Sequence, residues 1–587
     1  MDKSINLTKI KRSKFISKLE SLKEGADTET FSLLNEIQNE LNRIKYGLVW
    51  EEHSESVDEM TSTHIPVFIE KKEKEILFES NEKINFLLEG DNLHSLMLLE
   101  KTHKASIDLI YIDPPYNTGK KDFIYCDEMI EPEDGYRHSK WLSFMNRRLQ
   151  IGRRLLTDEG VIFISIDENE MFQLKLLCDS IFDERNYVGV FSVENNPKGR
   201  KNGKFISVTN EFCLIYAKKI DAAYFLKIVP KHANDMSEDD NGDFVRKSGK
   251  RVLMGENKLN RYVSDFSSKK HYSAYIKDKE LITKQETSLD EYDEELIKQG
   301  FTRYTTYLND KFVENTYTIQ KFTELFKSNS LDIRKDKIYE KHFSNMMQLK
   351  SLLVNDEYDA VVNNSKVHYK IDLKTTSAKQ ELNSLMGGEY FSFPKNVNFI
   401  KHLVSLHPNN QAVILDFFAG SGTTGQAVLE LNMEDGGQRS FILCTNNEND
   451  ICEKVTYPRL RTVISGERPN GSKYSEGIRA NLHYYKTEFI QKSLDGSISS
   501  KLMLHIKELI QLEFGYLVDN RETVLVYSEE ELDTRFKEDI AGCRRLFIPT
   551  NVFLTALQEN KLKKLKVDVF VIPENYFSNE LREVDEL

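Results

Sequence analysis

Short apolar runs, each closed by a proline, a glycine or an acid, alternate with helical spacing along two separate stretches of the chain. Ile107-Asp108-Leu109-Ile110-Tyr111-Ile112, Val161-Ile162-Phe163-Ile164-Ser165-Ile166 and Phe212-Cys213-Leu214-Ile215-Tyr216 each predict a buried strand, and residues 141–156 predict a helix between the first two. The pattern resumes far downstream. Val413-Ile414-Leu415-Asp416 and Ser440-Phe441-Ile442-Leu443-Cys444 predict two further strands, with a helical run over 426–431 between them and another over 397–403. Strands that alternate with helices predict an α/β fold with a mostly parallel sheet. Residues 219–385 lose this periodicity and become polar and lysine-rich, so a Rossmann-like sheet is split by an insertion of about 170 residues. Five regions follow: a helical N-terminal extension at 1–80, sheet halves at 81–218 and 386–485, the insertion at 219–385, and a mixed tail at 486–587 with strands expected at 524–527 and 567–572. In the first region Phe31, Leu33, Leu34, Ile37 and Leu41 fall at helical spacing.

The chemistry lies at two strand ends. Asp113-Pro114-Pro115-Tyr116 follows the first strand, where an acid, two prolines and an aromatic ring make a rigid, electronegative slot with a flat platform. The Asp113 carboxylate and the Pro114 carbonyl would accept hydrogens from the exocyclic amine of a base, and Tyr116 would stack on it. A proline-fixed loop with no chemistry is the plainer alternative. Strand 413–416 ends in Phe417-Phe418-Ala419-Gly420-Ser421-Gly422-Thr423-Thr424-Gly425, the strand–glycine turn–helix entry of a nucleotide-binding sheet. Glu448 follows the turn by ~20 residues, the spacing of a ribose acceptor. Gly420, Gly422 and Gly425 spell GxGxxG, which admits NAD or FAD; Gln426-Ala427 stand where a phosphate-binding loop needs Lys and Ser/Thr. S-adenosylmethionine is the third candidate. Its cationic groups suit Asp416 and the neighbouring acids, and the amine slot favours it over a hydride carrier.

Together, Asp113 to Tyr116 and Asp416 to Thr423 resemble the amino-group DNA methyltransferases, in the order that places the catalytic motif before the cofactor motif. More narrowly the chain resembles the modification (Mod) subunits of type III restriction–modification systems. The strings that carry this likeness are Lys45 to Glu51, Leu88-Glu89-Gly90-Asp91-Asn92-Leu93, Asp113 to Gly119, Lys140 to Met145 and Thr445 to Asn449. The likeness implies a DNA adenine-N6 methyltransferase with Asp113, Pro114, Pro115 and Tyr116 as catalytic residues. Asp416, Phe418, Gly420, Gly422, Thr423, Glu448, Asp91 and Lys395 would bind S-adenosyl-L-methionine, Asp91 meeting the adenine amine and Lys395 belonging to a segment over the methionine end. From the residues alone, Asp91 is equally a helix cap and Lys395 a surface charge. By position, 219–385 would be the target-recognition domain. Implied partners are double-stranded DNA, a second copy of the chain, and a restriction (Res) subunit carrying ATPase and nuclease, with 1–80 and 486–587 as assembly regions.

Composition narrows the picture. Of 587 residues, 39% are hydrophobic and 30% charged, and no run approaches the ~18 apolar residues of a membrane span. Six scattered cysteines without a CxxC pair point to a reducing cytoplasm and no zinc site. A net charge of −13 excludes a nucleic-acid binder with a uniformly basic surface, so positive charge must be local. Lys198, Arg200, Lys201 and Lys204 lie in a Pro/Gly loop, and Lys247, Lys250 and Arg251 open a basic stretch interleaved with Tyr262, Tyr272 and Tyr275. These are the candidate DNA contacts. Three rivals remain: a cytosine-N4 methyltransferase, where Ser rather than Asp tends to open the first motif; an NAD-dependent oxidoreductase, for which no proton-relay residue is evident; and a non-catalytic DNA-binding subunit.

Overall fold

The computed structural model describes residues 7–23, 26–42, 50–78, 83–119, 124–125, 128–129, 134–199, 205–239, 241–247, 250–492, 497–538, 540–572 and 576–583. The chain divides into two compact units. One comprises Met1–Tyr224 with Lys374–Leu587, the other Phe225–Leu373.

The first unit is built on a sheet of β1 (His64–Glu70), β2 (Ile84–Glu89), β3 (Ile107–Ile112), β4 (Leu156–Ile166), β5 (Tyr187–Val193), β6 (Glu211–Ala217), β7 (Val413–Asp416), β8 (Ser440–Thr445) and β9 (Asn481–Gln491). Their order is β1-β9-β2-β8-β7-β3-β4-β6-β5. From β9 to β4 the pairing is parallel throughout. β1 closes one edge antiparallel to β9, and the β5–β6 hairpin lies antiparallel to β4 at the other side. Central strands such as β2 are buried along their whole length, because helices cover both faces of a parallel sheet. Trp141, Leu142, Met145 and Leu149 of helix α1 (Arg137–Leu155) are among those that fill this core.

Strand order locates the site. β7 leads through helix α2 (Thr423–Asp435) to β8 on one side, whereas β3 leads through α1 to β4 on the other. The neighbours β7 and β3 therefore form the topological switch point, where a crevice opens outside the carboxyl ends of the strands.

Three expected boundaries are corrected, the third in the inserted unit. The segment 1–80 is not only helical: Leu7–Lys23, Thr28–Asn42 and Ser56–Thr63 are helices, but 64–70 is the edge strand β1, with Ile65, Val67 and Phe68 buried against β9. The tail does not begin at 486, since β9 runs on to Gln491. Beyond it, three parallel strands rather than two (Thr523–Leu525, Arg545–Ile548, Asp568–Val571) pack around a small core containing Val524, Leu532, Leu546 and Leu562.

The second unit is narrower than 219–385, because 375–386 form a helix of the first unit. It is mostly β, with a five-stranded sheet, a three-stranded sheet, the hairpin Asp356–Val362/Ser365–Ile371 and helix Ile319–Lys327. Its strands are two to seven residues long, which is why no long apolar run marks them. Tyr272 and Tyr275 are buried here, so of the three interleaved tyrosines only Tyr262 is on the surface. Among the described residues no helix is long and apolar enough to cross a membrane.

Candidate active site

Asp113 leaves the tip of β3, and the loop after it is fixed from beneath. The Trp141 indole N–H donates to the Pro115 carbonyl at 2.7 Å. Asn117 sits at φ 56°, and its amide donates to the buried Glu170 carboxylate at 2.6 Å. Tyr111, the last ring inside β3, meets the Ser165 hydroxyl at 3.0 Å. The acid, the prolines and the tyrosine are thus held on a rigid strand end.

Above this loop lies a compact charged group. The Tyr116 hydroxyl donates to Asp113 Oδ1 at 2.8 Å and approaches Glu211 Oε2 at 3.3 Å. Lys395 Nζ donates to Tyr116 Oη at 2.6 Å and to both Glu211 oxygens at 2.8 Å, and lies 3.2 Å from Asp113 Oδ1. It also stands 5.1 Å from the centre of the Tyr116 ring. Burial pushes the Asp113 carboxyl above its usual range; Lys395 opposes the shift and Glu211 adds to it. Burial acts against the Lys395 ammonium, but Asp113 and Glu211 outweigh it and hold its pKa above the ordinary lysine value. The Tyr116 hydroxyl is raised well above its ordinary value by burial and by both carboxylates.

The glycine turn is assembled differently. Asp416, buried at the end of β7, accepts the Phe418 N–H at 3.0 Å and the Thr424 hydroxyl at 2.5 Å. Burial pushes its carboxyl up to about 7 in spite of those bonds. Gly420 has φ 48° and Gly422 φ 76°, both left-handed. A Cβ at Gly420 would meet nothing nearer than the Phe418 carbonyl at 3.8 Å, so this backbone faces open space. At Gly425 a Cβ would lie 2.5 Å from Leu460 Cδ2; the third glycine serves close packing of α2 against helix Tyr457–Ser465. Arg459 of that helix is fully buried and donates to Ser421 Oγ at 3.0 Å, Thr423 Oγ1 at 2.7 Å and Gln426 Oε1 at 2.8 Å.

The remaining cofactor candidates surround the turn. Asp91 caps helix Asn92–Thr102 by accepting the Leu93 N–H at 2.7 Å, and lies 3.6 Å from Arg148. Asn92 donates to the Phe417 carbonyl at 2.8 Å and accepts from Arg148 Nε at 2.6 Å, tying this helix to the turn. Phe418 is half-buried against Phe144, ring centres 5.8 Å apart. Glu448 is exposed just beyond β8. The Lys395 side chain reaches the Asp113 group, while its carbonyl accepts the Thr423 hydroxyl at 3.4 Å, so one residue touches both loops.

A match to the DNA methylase family model runs over residues 107–456, more than half the chain, and contains both loops with the segment between them. The chain belongs to the DNA methylase family. Among curated relatives, the Type III restriction-modification enzyme EcoPI Mod subunit of Escherichia phage P1 is 31% identical over 404 residues, covering 63% of this chain and 58% of that one. The StyLTI Mod subunit of Salmonella typhimurium is 30% identical over 450 residues, covering 71% and 61%. Type II methyltransferase M.KpnI of Klebsiella pneumoniae is 31% identical over 405 residues, covering 68% and 90%. The aligned methylase thus spans about three fifths of the two Mod subunits.

Sequence reading had not singled out Glu211, Glu170, Arg148 or Arg459. Each is a polar residue buried at the start of a strand, beside a helix or within one, with no local motif to mark it. Of the DNA candidates, Lys198 is exposed in the β5–β6 loop, and Arg200 and Lys201 lie outside the described residues, as do 45–49. In the second unit Lys247 and Arg251 are exposed, Arg251 donating to Tyr317 Oη at 3.1 Å. Lys250 is instead mostly covered and paired with Asp332 at 2.8 Å. Among the described residues, Glu70, Glu75 and His483 gather metal-type donors at the β1–β9 edge, with Lys507 Nζ 2.7 Å from Glu70.

Proposed function

We propose that this methylase transfers a methyl group from S-adenosyl-L-methionine to N6 of an adenine in double-stranded DNA, as the modification subunit of a type III restriction–modification system. The observation that carries the reading is the meeting of Asp113 and the glycine turn at one switch point. Open backbone at Gly420 and the exposed Glu448 fit a nucleoside-bearing cofactor, and Asp91, Phe418, Gly422 and Thr423 complete the candidate set around it. S-adenosylmethionine supplies an electrophilic methyl on a sulfonium leaving group.

The chain's own residues prepare the nucleophile. Adenine inside a duplex hides N6, so the base is flipped out at a cost of a few kcal/mol. Asp113 and the Pro114 carbonyl accept the two amine hydrogens, which localises a lone pair otherwise delocalised into the ring, and Tyr116 stacks on the base. Positioning then does most of the remaining work. Lys198, Arg200 and Lys201, with Lys247 and Arg251 of the second unit, are the proposed phosphate contacts, and the second unit the target reader. A second copy and a Res subunit with ATPase and nuclease are the proposed partners, docking through 1–80 and the tail. The likeness to the EcoPI and StyLTI Mod subunits supports the assembly, and Asp113 at the first motif position supports adenine.

Single-molecule sequencing of DNA from a methylation-free host that expresses this chain tests the reading. N6-methyladenine at one short motif on one strand is the expected result. N4-methylcytosine would move the substrate to cytosine, and an unmarked genome with soluble protein would leave the DNA-binding-subunit rival standing.

A further inference from the structure

We infer that Glu211 is a positioning residue for methyl transfer: it holds the Lys395 ammonium beside the Asp113 carboxylate rather than on it, which leaves Asp113 to accept the substrate amine. This deepens the proposed function and rests on it.

An ammonium and an amine compete for the same carboxylate lone pairs. Lys395 Nζ has three hydrogens, and its contacts are shared unequally: 2.6 Å to Tyr116 Oη and 2.8 Å to each Glu211 oxygen, against 3.2 Å to Asp113 Oδ1. Among the described residues, the donors that reach Asp113, Tyr116 and Lys395, both fall on Oδ1. Asp113 Oδ2 is then the oxygen turned over to substrate. Lys395 and Glu211 side chains are only 15% and 7% exposed, so the ammonium needs a carboxylate partner and water cannot replace one. Without Glu211 the nearest remaining carboxylate is Asp113.

The backbone supports this assignment. Glu211 opens β6, where its neighbour Phe212 pairs with Ile166 of β4 and Glu211 itself pairs with Val193 of β5. It therefore stands on a strand end at the carboxyl edge of the sheet, as rigidly placed as Asp113. Two carboxylates around one ammonium also leave a net negative charge, which suits a slot for an amine.

The test is a double-mutant cycle on the full chain: wild type, Glu211→Gln, Lys395→Met and the double variant, in single-turnover methylation of DNA from a methylation-free host at saturating S-adenosylmethionine. Glu211→Gln is expected to slow transfer by about tenfold or more, with cofactor affinity within about twofold of wild type. Adding Lys395→Met to it should restore at least about threefold, a coupling that independent structural damage does not give. The acid limb of the pH–rate profile should move to lower pH in Glu211→Gln, where the ammonium sits on Asp113, and to higher pH in Lys395→Met. Glu211→Asp, which keeps the carboxylate, should fall between wild type and Glu211→Gln. A double variant as slow as Glu211→Gln, or a Glu211→Gln enzyme at the wild-type rate, would overturn the inference. A wild type that methylates no DNA would instead overturn the function on which it rests.

Discussion

The tips of β3 and β7 are adjacent strand ends in one crevice, yet they use their side chains in opposite ways. At β3 the acid is directed into the open slot and shares it with Lys395, Glu211 and Tyr116. At β7 the acid is turned inward, where Asp416 holds the Phe418 N–H and the Thr424 hydroxyl, and Arg459 ties Ser421 to Thr423 from below. What faces the crevice there is backbone at Gly420. The lesson is a division of labour: side chains act at the first tip, whereas side chains at the second shape a loop whose backbone acts.

Substitutions at the two tips should separate these roles. The largest effect is expected from Asp113→Ala, a loss of about 10³-fold in transfer on the scale of removing a preorganised hydrogen-bond partner of the reacting group, with DNA and cofactor affinity kept. Stopped-flow methyl transfer beside fluorescence anisotropy checks it, and loss of binding along with rate would make Asp113 structural.

At the second tip the glycines should fail by different routes. Gly425→Ala places a Cβ 2.5 Å from Leu460, so thermal unfolding should show a loss of about 1–3 kcal/mol from overpacking. Gly420→Ala has room for its Cβ and pays chiefly for a left-handed φ, about 1–2 kcal/mol, while weakening cofactor binding. Cofactor binding weakened as much in Gly425→Ala as in Gly420→Ala would erase the distinction drawn between packing and approach.

Asp416 gives a pH signature. Its carboxyl is raised to about 7 by burial, above the unfolded value, so the folded state binds the extra proton between the two. Its contribution to stability is therefore greatest in acid and declines as pH rises from the unfolded pKa to about 7. Asp416→Asn should flatten that part of the stability–pH curve, and denaturant titrations at several pH values would reveal an unchanged slope if the assignment is wrong.

Smaller effects separate surface charges. Lys198→Ala should lower the salt dependence of DNA binding by about one counterion. Lys250→Ala, whose ammonium is mostly covered and paired with Asp332, should change it less and cost about 1–3 kcal/mol of stability. Binding isotherms at several salt concentrations distinguish the two.

What was legible in the sequence follows from which signals are local. β3 and β7 are short apolar runs, broken only by Asp108 in β3, that end in turn residues; these strands, with β4, β6, β8 and both loops, were readable, whereas β2, β5 and β9 were not. Nor was β1, because Pro66 falls inside, and His64 and Glu70 bound, an edge strand whose partner β9 comes more than 400 residues later. The aromatic pattern in the second unit misled for the opposite reason: Tyr272 and Tyr275 look like a base platform in one dimension and are core residues in three. Glu211 shows the limit most clearly. It lies 95 residues from Tyr116 and 184 from Lys395 along the chain, and only the pairing of β6 with β4 brings them together.

The division of labour between the tips is tested most directly by single-turnover methylation with Asp113→Ala and Gly420→Ala across a range of S-adenosylmethionine concentrations. Asp113→Ala should bind cofactor normally and transfer almost nothing at saturation, whereas Gly420→Ala should need more cofactor and then approach the wild-type rate. A cofactor-binding defect in Asp113→Ala, or a rate defect in Gly420→Ala that saturation does not repair, would contradict the account.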